Sequence, residues 1–199
     1  MEWKANNEKQ RGYDFTYDNR SRLKEAFYLE GGVRKSNFNT SYTYDKHGNI
    51  LTLTRHGNTS RTGYGVMDNL TLNYKGNQLI KADDSAPDPT LFSMDFRDVK
   101  GSSIEYTYDA NGNLTKDLNK GITQIRYNLL NLPSQVNFNH TGQPVNEYTY
   151  AVDGSKLSVN HKKSSGGKVT DYVGNMIYEG ESLKRILVDG GFYEEGKYY

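Results

Sequence analysis

Oxygen-bearing side chains alternate along the short segment that contains Asp109, Asn111 and Asn113. Alternating carboxylate and amide oxygens are the donors with which proteins hold a hard cation such as calcium. A calcium-binding EF-hand loop needs glycine at its sixth position and a distant glutamate, whereas Gly112 stands fourth when Asp109 is counted as first. Aspartate first and glycine fourth are instead typical of a tight turn. The segment therefore predicts a turn, and we expect neither a metal nor a cofactor.

Side chains that could perform acid-base or nucleophilic chemistry are scattered along the chain. The absence of cysteine excludes disulfides and thiolate zinc sites. The histidines lie in or beside predicted turns, where we expect them to be exposed, and show no zinc spacing: His47, His56, His140 and His161. The adjacent carboxylates, which we interpret as solvated charge, are Asp83 with Asp84 and Glu194 with Glu195. We therefore expect no catalytic residue and no enzymatic activity.

Tyrosine is the residue type with the strongest claim to a binding role, since the chain has 17. Aromatic rings beside asparagine and aspartate could form a carbohydrate-binding platform, because ring faces cover sugar C–H groups while amides and carboxylates bind hydroxyls. The alternative is that the rings pack between β-hairpins, where each cross-strand pair contributes about 0.2–1 kcal/mol. Recurrence of the rings at the same place in every repeat favours packing.

The repeat is plain in two stretches, residues 42–50 and residues 106–114, which both follow the pattern Y-T-Y-D-x-x-G-N-aliphatic. Weaker copies occupy residues 15–23, 73–79, 127–132, 148–154 and 172–177. We assign the motif residues a structural role: Tyr17, Asp18, Tyr42, Tyr44, Asp45, Gly48, Asn49, Tyr106, Tyr108, Asp109, Gly112, Asn113, Tyr148, Tyr150 and Gly154.

Each repeat predicts one β-hairpin. The two tyrosines of Y-T-Y lie on one face of an extended strand because side chains alternate between faces. Aspartate and glycine then close a type I turn, with glycine at positive φ. A lone hairpin is marginal in water, so successive hairpins must pair to bury their tyrosine face. The sequence therefore predicts an all-β, antiparallel ribbon of about seven hairpins, curled or spiralling, that forms a single domain over residues 1–199.

Residues 21–32 resist this interpretation, because they combine helix-forming residues with a serine start and a glycine stop. We still favour a strand there, since the segment follows a Tyr-Asp turn as the other return strands do. The net charge of +1 gives no general attraction to nucleic acid or an anionic membrane. No window approaches the 18 apolar residues of a membrane span, and residues 1–8 lack the apolar stretch of a signal peptide.

The repeated Y-D-x-x-G-N-L pattern resembles the YD repeat of the RHS (rearrangement hotspot) and teneurin families. Residues 106–122, followed by residues 127–133, are especially similar to RHS-repeat proteins of Bacteroides-like bacteria. The resemblance implies that the repeats form a segment of a hollow β-shell, which in bacterial members encloses a C-terminal toxin or effector domain. The family's self-cleaving core region and toxin domain have no counterpart in this sequence.

The resemblance also implies partners and a location. Neighbouring repeats and the C-terminal effector domain of a longer parent protein would be the main partners, and a glycan would be the ligand under the alternative function. We expect a secreted or cell-surface protein whose export signal lies outside this chain. Unpaired strands at the ends of such a ribbon would let two copies form a homodimer edge to edge.

Overall fold

The computed structural model describes residues 1–6, 8–87, 95–99, 101–142 and 144–199. The chain divides into two compact units, Met1–Glu105 and Tyr106–Tyr199. The strands of the first unit are β1 (Glu2–Trp3), β2 (Arg11–Tyr17), β3 (Leu23–Glu30), β4 (Val33–Tyr44), β5 (Ile50–Asn58), β6 (Tyr64–Lys75) and β7 (Gln78–Asp84). Those of the second are β8 (Tyr106–Tyr108), β9 (Leu114–Asp117), β10 (Ile122–Tyr127), β11 (Pro133–Phe138), β12 (Val145–Tyr150), β13 (Lys156–Lys163), β14 (Gly166–Val173), β15 (Met176–Glu179), β16 (Ser182–Val188), β17 (Gly191–Glu194) and β18 (Lys197–Tyr198).

Both units are simple antiparallel meanders. Strands β1 to β7 form one sheet in sequence order, and strands β8 to β18 form an 11-stranded sheet in sequence order. The predicted all-β fold of successive hairpins is confirmed. Among the described residues no helix is present, so none could span a membrane. The extent of a single repeat domain over the whole chain stays a prediction.

The segment with helix-like composition is strand β3. Ala26 and Tyr28 point to the same face and are buried, as the period of two in a strand requires. The glycines that resembled a helix stop form the two-residue connection to β4, where Gly31 and Gly32 have φ of 59° and 76°. Positive φ at both central residues is the requirement of a type I′ hairpin turn. The glycine pair therefore ends a strand, as we favoured.

The buried side chains of the first unit lie on one face of its sheet, and they include Ala26, Tyr28, Leu70 and Ala82. Glu105, which follows β7 in the chain, lies along the outer edge of that strand. The Glu105 N–H donates to the Ile80 carbonyl over 2.8 Å, and the Glu105 carboxylate accepts from the Ala82 N–H over 3.0 Å. In the second unit the most buried aliphatic side chains are Val136 and Val159.

Five hairpins share one turn geometry, over residues 18–22, 45–49, 109–113, 128–132 and 151–155. In each, the N–H of the fourth residue donates to the carbonyl of the first, and the N–H of the first donates to the carbonyl of the fifth. The fourth residue always has positive φ, from 60° to 98°: Ser21, Gly48, Gly112, Asn131 and Gly154. The strands next to these turns show the register shift of a β-bulge. The shortened copies at residues 73–79 and 172–177 instead turn through two residues each.

Replacement of Gly112 by valine should lower the free energy of unfolding by about 1–2 kcal/mol, because a β-branched residue disfavours positive φ. Gly112→Asn is the matched control, since asparagine occupies the same turn position at Asn131 with φ of 61°. Urea unfolding followed by circular dichroism would measure both variants. A valine variant as stable as the asparagine variant would contradict the turn assignment.

Candidate functional site

Within each unit, the repeat-motif residues lie at the turn end of the hairpins. The first unit has two of the five turns defined above and the second has three, and we call these turns together the turn ladder. The second motif tyrosine is the last residue of its strand, as Tyr44, Tyr108 and Tyr150 show. The motif aspartate opens the turn, and the glycine takes the fourth place. Where the full motif is kept, it places a ring, a carboxylate and a glycine together at the turn.

The first turn residue organises the backbone of its turn. One carboxylate oxygen of Asp109 accepts from the N–H groups of Asn111 and Asn113, both over 2.9 Å. The other oxygen accepts from the side-chain amide of Asn113 over 2.9 Å. Asp45 makes the same three bonds, at 2.8–2.9 Å, within its own turn. Both carboxylate oxygens of Asp109, the charged member of the suggested cation site, therefore have protein donors.

Degenerate repeats keep this arrangement with other side chains. Asp18 accepts from two turn N–H groups and from the guanidinium of Arg22. Asn128 uses its amide oxygen to accept the same two N–H groups. Ala151 has no acceptor, and Asp153 two residues later accepts the N–H of Ser155 over 2.8 Å instead. The turn therefore tolerates changes of residue as long as an oxygen reaches the backbone N–H groups.

These hydrogen bonds lower the pKa of the turn aspartates. The side-chain and backbone N–H groups of Asn113 hold the pKa of Asp109 below its ordinary value. The backbone N–H of Arg22 has the largest effect on Asp18, whose pKa is also lowered. Desolvation raises the pKa of Asp45, but the hydrogen bonds from Asn49 and its neighbours outweigh that effect. The three turns that open with aspartate are therefore built around ionised carboxylates.

Tyrosine hydroxyls connect consecutive hairpins. Tyr44 Oη donates to the carbonyl of Leu23 over 2.6 Å, and Tyr127 Oη donates to that of Leu114 over 2.8 Å. Tyr150 Oη donates to the carbonyl of Pro133 over 2.9 Å. Each acceptor lies six residues beyond the equivalent tyrosine of the preceding hairpin. We call these three hydrogen bonds the tyrosine tethers. Burial raises the pKa of all three phenols, which keeps the donating proton in place.

The fifth turn residue reaches toward the next turn. Arg22 Nη1 donates to the carbonyl of Asp45 over 2.8 Å, and its guanidinium lies 4.5 Å from the centre of the Tyr44 ring. In the second unit, the amides of Asn113 and Asn131 exchange two hydrogen bonds of 2.6 and 3.1 Å. Neighbouring turns within a unit are therefore joined by side chains as well as by the sheet.

The first motif tyrosines are less uniform. Tyr106 is buried and accepts a hydrogen bond from the Asn119 amide over 2.9 Å, while Tyr42 and Tyr148 are half-buried. The rings of Tyr42 and Tyr44 are 6.5 Å apart and within 22° of parallel, as expected for one face of a strand. Tyr17 differs, since 58% of it is exposed. The other repeat tyrosines named above are buried or half-buried, so they present little free ring face to a ligand.

Several polar residues lie elsewhere than the sequence suggested. His56 and His161 are half-buried inside β5 and β13, and the expectation of exposed turn histidines is wrong for these two. Asp84 ends β7 and is only 9% exposed, so solvated charge is wrong for it. Pairing to Lys184 and Arg185 lowers the pKa of Glu194. These side chains belong to strands and not to turns. A strand has one face on the buried side of the sheet, so a polar side chain on that face is shielded from solvent.

Asp84 belongs to an acidic cluster that no sequence pattern indicated. One oxygen each of Asp68, Asp84 and Asp95 lies within 4.8 Å of the others. Arg55 and the Phe96 N–H donate to Asp68, and the N–H groups of Asn69 and Ala86 donate to Asp84. Protein donors therefore stabilise much of the negative charge. The three aspartates are far apart in sequence, which explains why spacing could not reveal them.

Comparison with known proteins supports the fold. No family model matches the chain, and no curated protein is similar to it in sequence. Among solved structures, a chain of the TcdB2-TccC3-Cdc42 crystal structure matches with a TM-score of 0.55 and 15% sequence identity. The match covers 93% of this chain and 11% of that chain. TcdB2-TccC3 is a YD/RHS-repeat toxin complex, so the chain has a distantly RHS-like fold.

Removal of one tether hydroxyl should weaken the second unit. Tyr150→Phe leaves the Pro133 carbonyl without its donor, and the free energy of unfolding should fall by about 1 kcal/mol. Tyr148→Phe removes a hydroxyl from the same strand and is the matched control, since that hydroxyl makes no hydrogen bond within the described chain. Chemical denaturation of both variants would compare them. Equal losses would contradict the role of the tether.

The turn aspartates should make the fold sensitive to acid. A pKa lowered in the folded state gives stability that is present above the ordinary value of about 3.9 and is lost as the pH falls through the folded value. Asp109→Asn should therefore be less stable than the parent chain at pH 7, and the difference should close toward pH 2. Urea midpoints measured across this range test the expectation. A difference that stays constant with pH would contradict it.

Proposed function

We propose that the chain is a structural scaffold, a segment of a YD/RHS-type β-shell that encloses a C-terminal toxin or effector domain of a longer parent protein. The observation that carries this proposal is that the side chains of the motif residues form the hydrogen bonds that hold the hairpins together. Turn aspartates hold turn backbones, tyrosines tether hairpins, and the fifth turn residues join neighbouring turns. A repeat optimised in this way suits a wall rather than a reactive centre.

The connectivity of the sheets suits the same role. Every strand pairs only with the strands before and after it in sequence. A hairpin can therefore be added or removed without a change in the pairing of distant strands, as in other repeat proteins whose units contact only their neighbours. A wall of any required length can be built from such units. The fold-level likeness to TcdB2-TccC3 supports a scaffold of this kind.

The proposal includes no enzymatic activity, and it places the protein outside the cell or at its surface. Its partners would be neighbouring repeats and the enclosed domain, with the near-neutral net charge of +1 giving no reason to expect nucleic acid. Pairing of two copies through sheet edges also stays a prediction. The fold-level likeness to a multi-chain toxin complex supports the general class of partner.

Limited proteolysis of the full-length gene product would test the shell. In the parent protein, a domain that follows the repeats should be cleaved much more slowly than the same domain expressed alone. A triple variant that removes the tethers, Tyr44→Phe with Tyr127→Phe and Tyr150→Phe, should speed that cleavage, whereas Tyr42→Phe with Tyr148→Phe should not. Equal cleavage of the enclosed and isolated domains would overturn the proposal.

A further inference from the structure

The first unit carries a second group of aromatic rings, which lie mostly outside the repeat motif. Trp3, Tyr13 and Phe15 share one face, since Trp3 pairs with Arg11 across β1 and β2 and alternate residues of β2 follow. The ring centres of Trp3 and Tyr13 are 6.0 Å apart, and those of Tyr13 and Phe15 are 5.9 Å apart. Their planes deviate from parallel by only 26° and 21°. The three rings therefore stack in a strip along one face of the sheet.

Three further rings stand edge-on beside this strip. Tyr28 meets Tyr13 at 62° and Phe38 at 87°, and Phe38 meets Tyr64 at 84°. The centres of these pairs are 5.1–5.7 Å apart, the usual range for edge-to-face contacts. Tyr28 is buried beneath the group, whereas Trp3 and Tyr64 remain 41% and 47% exposed. Well-packed rings thus support exposed ones.

These rings line two adjoining cavities that together we call the aromatic groove. One cavity, of about 230 Å³, is lined by Trp3, Tyr13, Tyr28, Phe38 and Tyr64 among others. The other, of about 340 Å³, shares Tyr13 and Phe38. Concave sites lined by aromatic side chains with a few polar groups are typical of small-ligand binding. The groove therefore has the shape of a ligand site.

The groove is already organised in the free protein. Tyr13 Oη donates to the Phe38 carbonyl over 3.1 Å, which fixes the ring shared by both cavities. Burial and the neighbouring Tyr28 raise the pKa of Tyr13, so that this donor stays protonated. The Tyr28 N–H donates to the side-chain oxygen of Asn39 over 2.8 Å. This bond joins β3, which carries the buried Tyr28 ring, to β4. A rigid surface of this kind loses little conformational entropy when it binds a ligand.

The charges around the groove are paired. Arg11 lies 3.2 Å from Glu8, and Glu30 lies 3.8 Å from Lys9. Arg55, which lines the larger cavity, is paired with Asp68. An anionic or cationic ligand would therefore find no uncompensated opposite charge among these groups. The arrangement favours a neutral ligand.

Neutral polar groups stand beside the rings. Asn37 lines the smaller cavity, and Thr40 and Asn58 line the larger one. Their side chains are half-buried and make no hydrogen bond within the part of the chain that the structure describes. An amide offers both donors and acceptors, and a hydroxyl offers either. A purely apolar occupant would bury these groups without partners, at a cost of about 1–3 kcal/mol each.

We propose that the aromatic groove binds a neutral oligosaccharide. The apolar C–H faces of sugar rings would lie on the exposed rings of Trp3 and Tyr64, while sugar hydroxyls would bond to Asn37, Thr40 and Asn58. The site is distinct from the repeat tyrosines that the sequence suggested as a glycan platform. It does not depend on the scaffold role, since a wall segment can carry a binding site on its surface.

Trp3 is the only tryptophan of the chain, so its fluorescence reports on the groove directly. Titration of the protein with neutral hexasaccharides (cellohexaose, mannohexaose and N-acetylchitohexaose) should shift or quench its emission with at least one of them. Oligogalacturonate and an apolar hexapeptide are the charged and non-saccharide probes. Neither should change the emission.

Tyr64→Ala and Asn58→Ala should each weaken saccharide binding by about tenfold. Tyr193→Ala is the matched control, because Tyr193 is 48% exposed, contacts the Tyr198 ring and lies in the other unit. It should bind as the parent chain does. Circular dichroism would show that all three variants fold, and calorimetry would give the affinities without dependence on tryptophan.

Three results would each overturn the proposal. They are no binding of any neutral hexasaccharide, saccharide binding that Tyr64→Ala leaves unchanged, and stronger binding of the peptide or the oligogalacturonate. None of these results would bear on the shell, which the proteolysis experiment tests separately.

Discussion

A hydrogen bond from a tyrosine hydroxyl to the backbone carbonyl of the preceding hairpin is the interaction on which the repeat depends. Sheet hydrogen bonds alone fix which strands are adjacent, but they leave the turn end of each hairpin free to splay. The three tyrosine tethers restrict this movement, because each joins the turn end of one hairpin to the preceding hairpin at equivalent positions in both units. They also explain why tyrosine rather than phenylalanine recurs at the strand end, because only the phenol carries the donor. Within each unit the tethers hold successive turns side by side, so that side chains of the turn ladder contact one another.

Much of this architecture was readable from residue types and spacing. Two near-identical stretches around Tyr44 and Tyr108 predicted the hairpin, its turn type and the positive φ of Gly48 and Gly112. The degenerate copies at residues 15–23 and 127–132 were also recognisable from the residue types that they keep. Ser21 and Asn131 adopt the backbone conformation of the turn glycines. The hydroxyl acceptors were not predictable, since each lies in a different hairpin and is a backbone atom that carries no sequence signature.

The features that sequence could not supply depend on contacts between distant residues. Asp84 is buried because Asp68 and the segment at residues 95–99 lie against it. No local sequence pattern indicates these contacts. The aromatic groove brings Trp3, Phe38 and Tyr64 together from three strands with no common spacing. Single aromatic residues outside a repeat are ordinary in any β-protein. Only the register of the sheet shows which of them share a face.

The strictly sequential order of the strands has a consequence for how the protein reaches its native state. Contacts between residues close in sequence need little loop closure, so a meander of this kind can fold rapidly despite being entirely β. Each hairpin finds its partner in the segment made just before it. The chain can therefore acquire structure progressively from its amino end while the ribosome is still adding residues. An early hairpin then offers its outer strand as the template for the next, and assembly proceeds in the direction of synthesis.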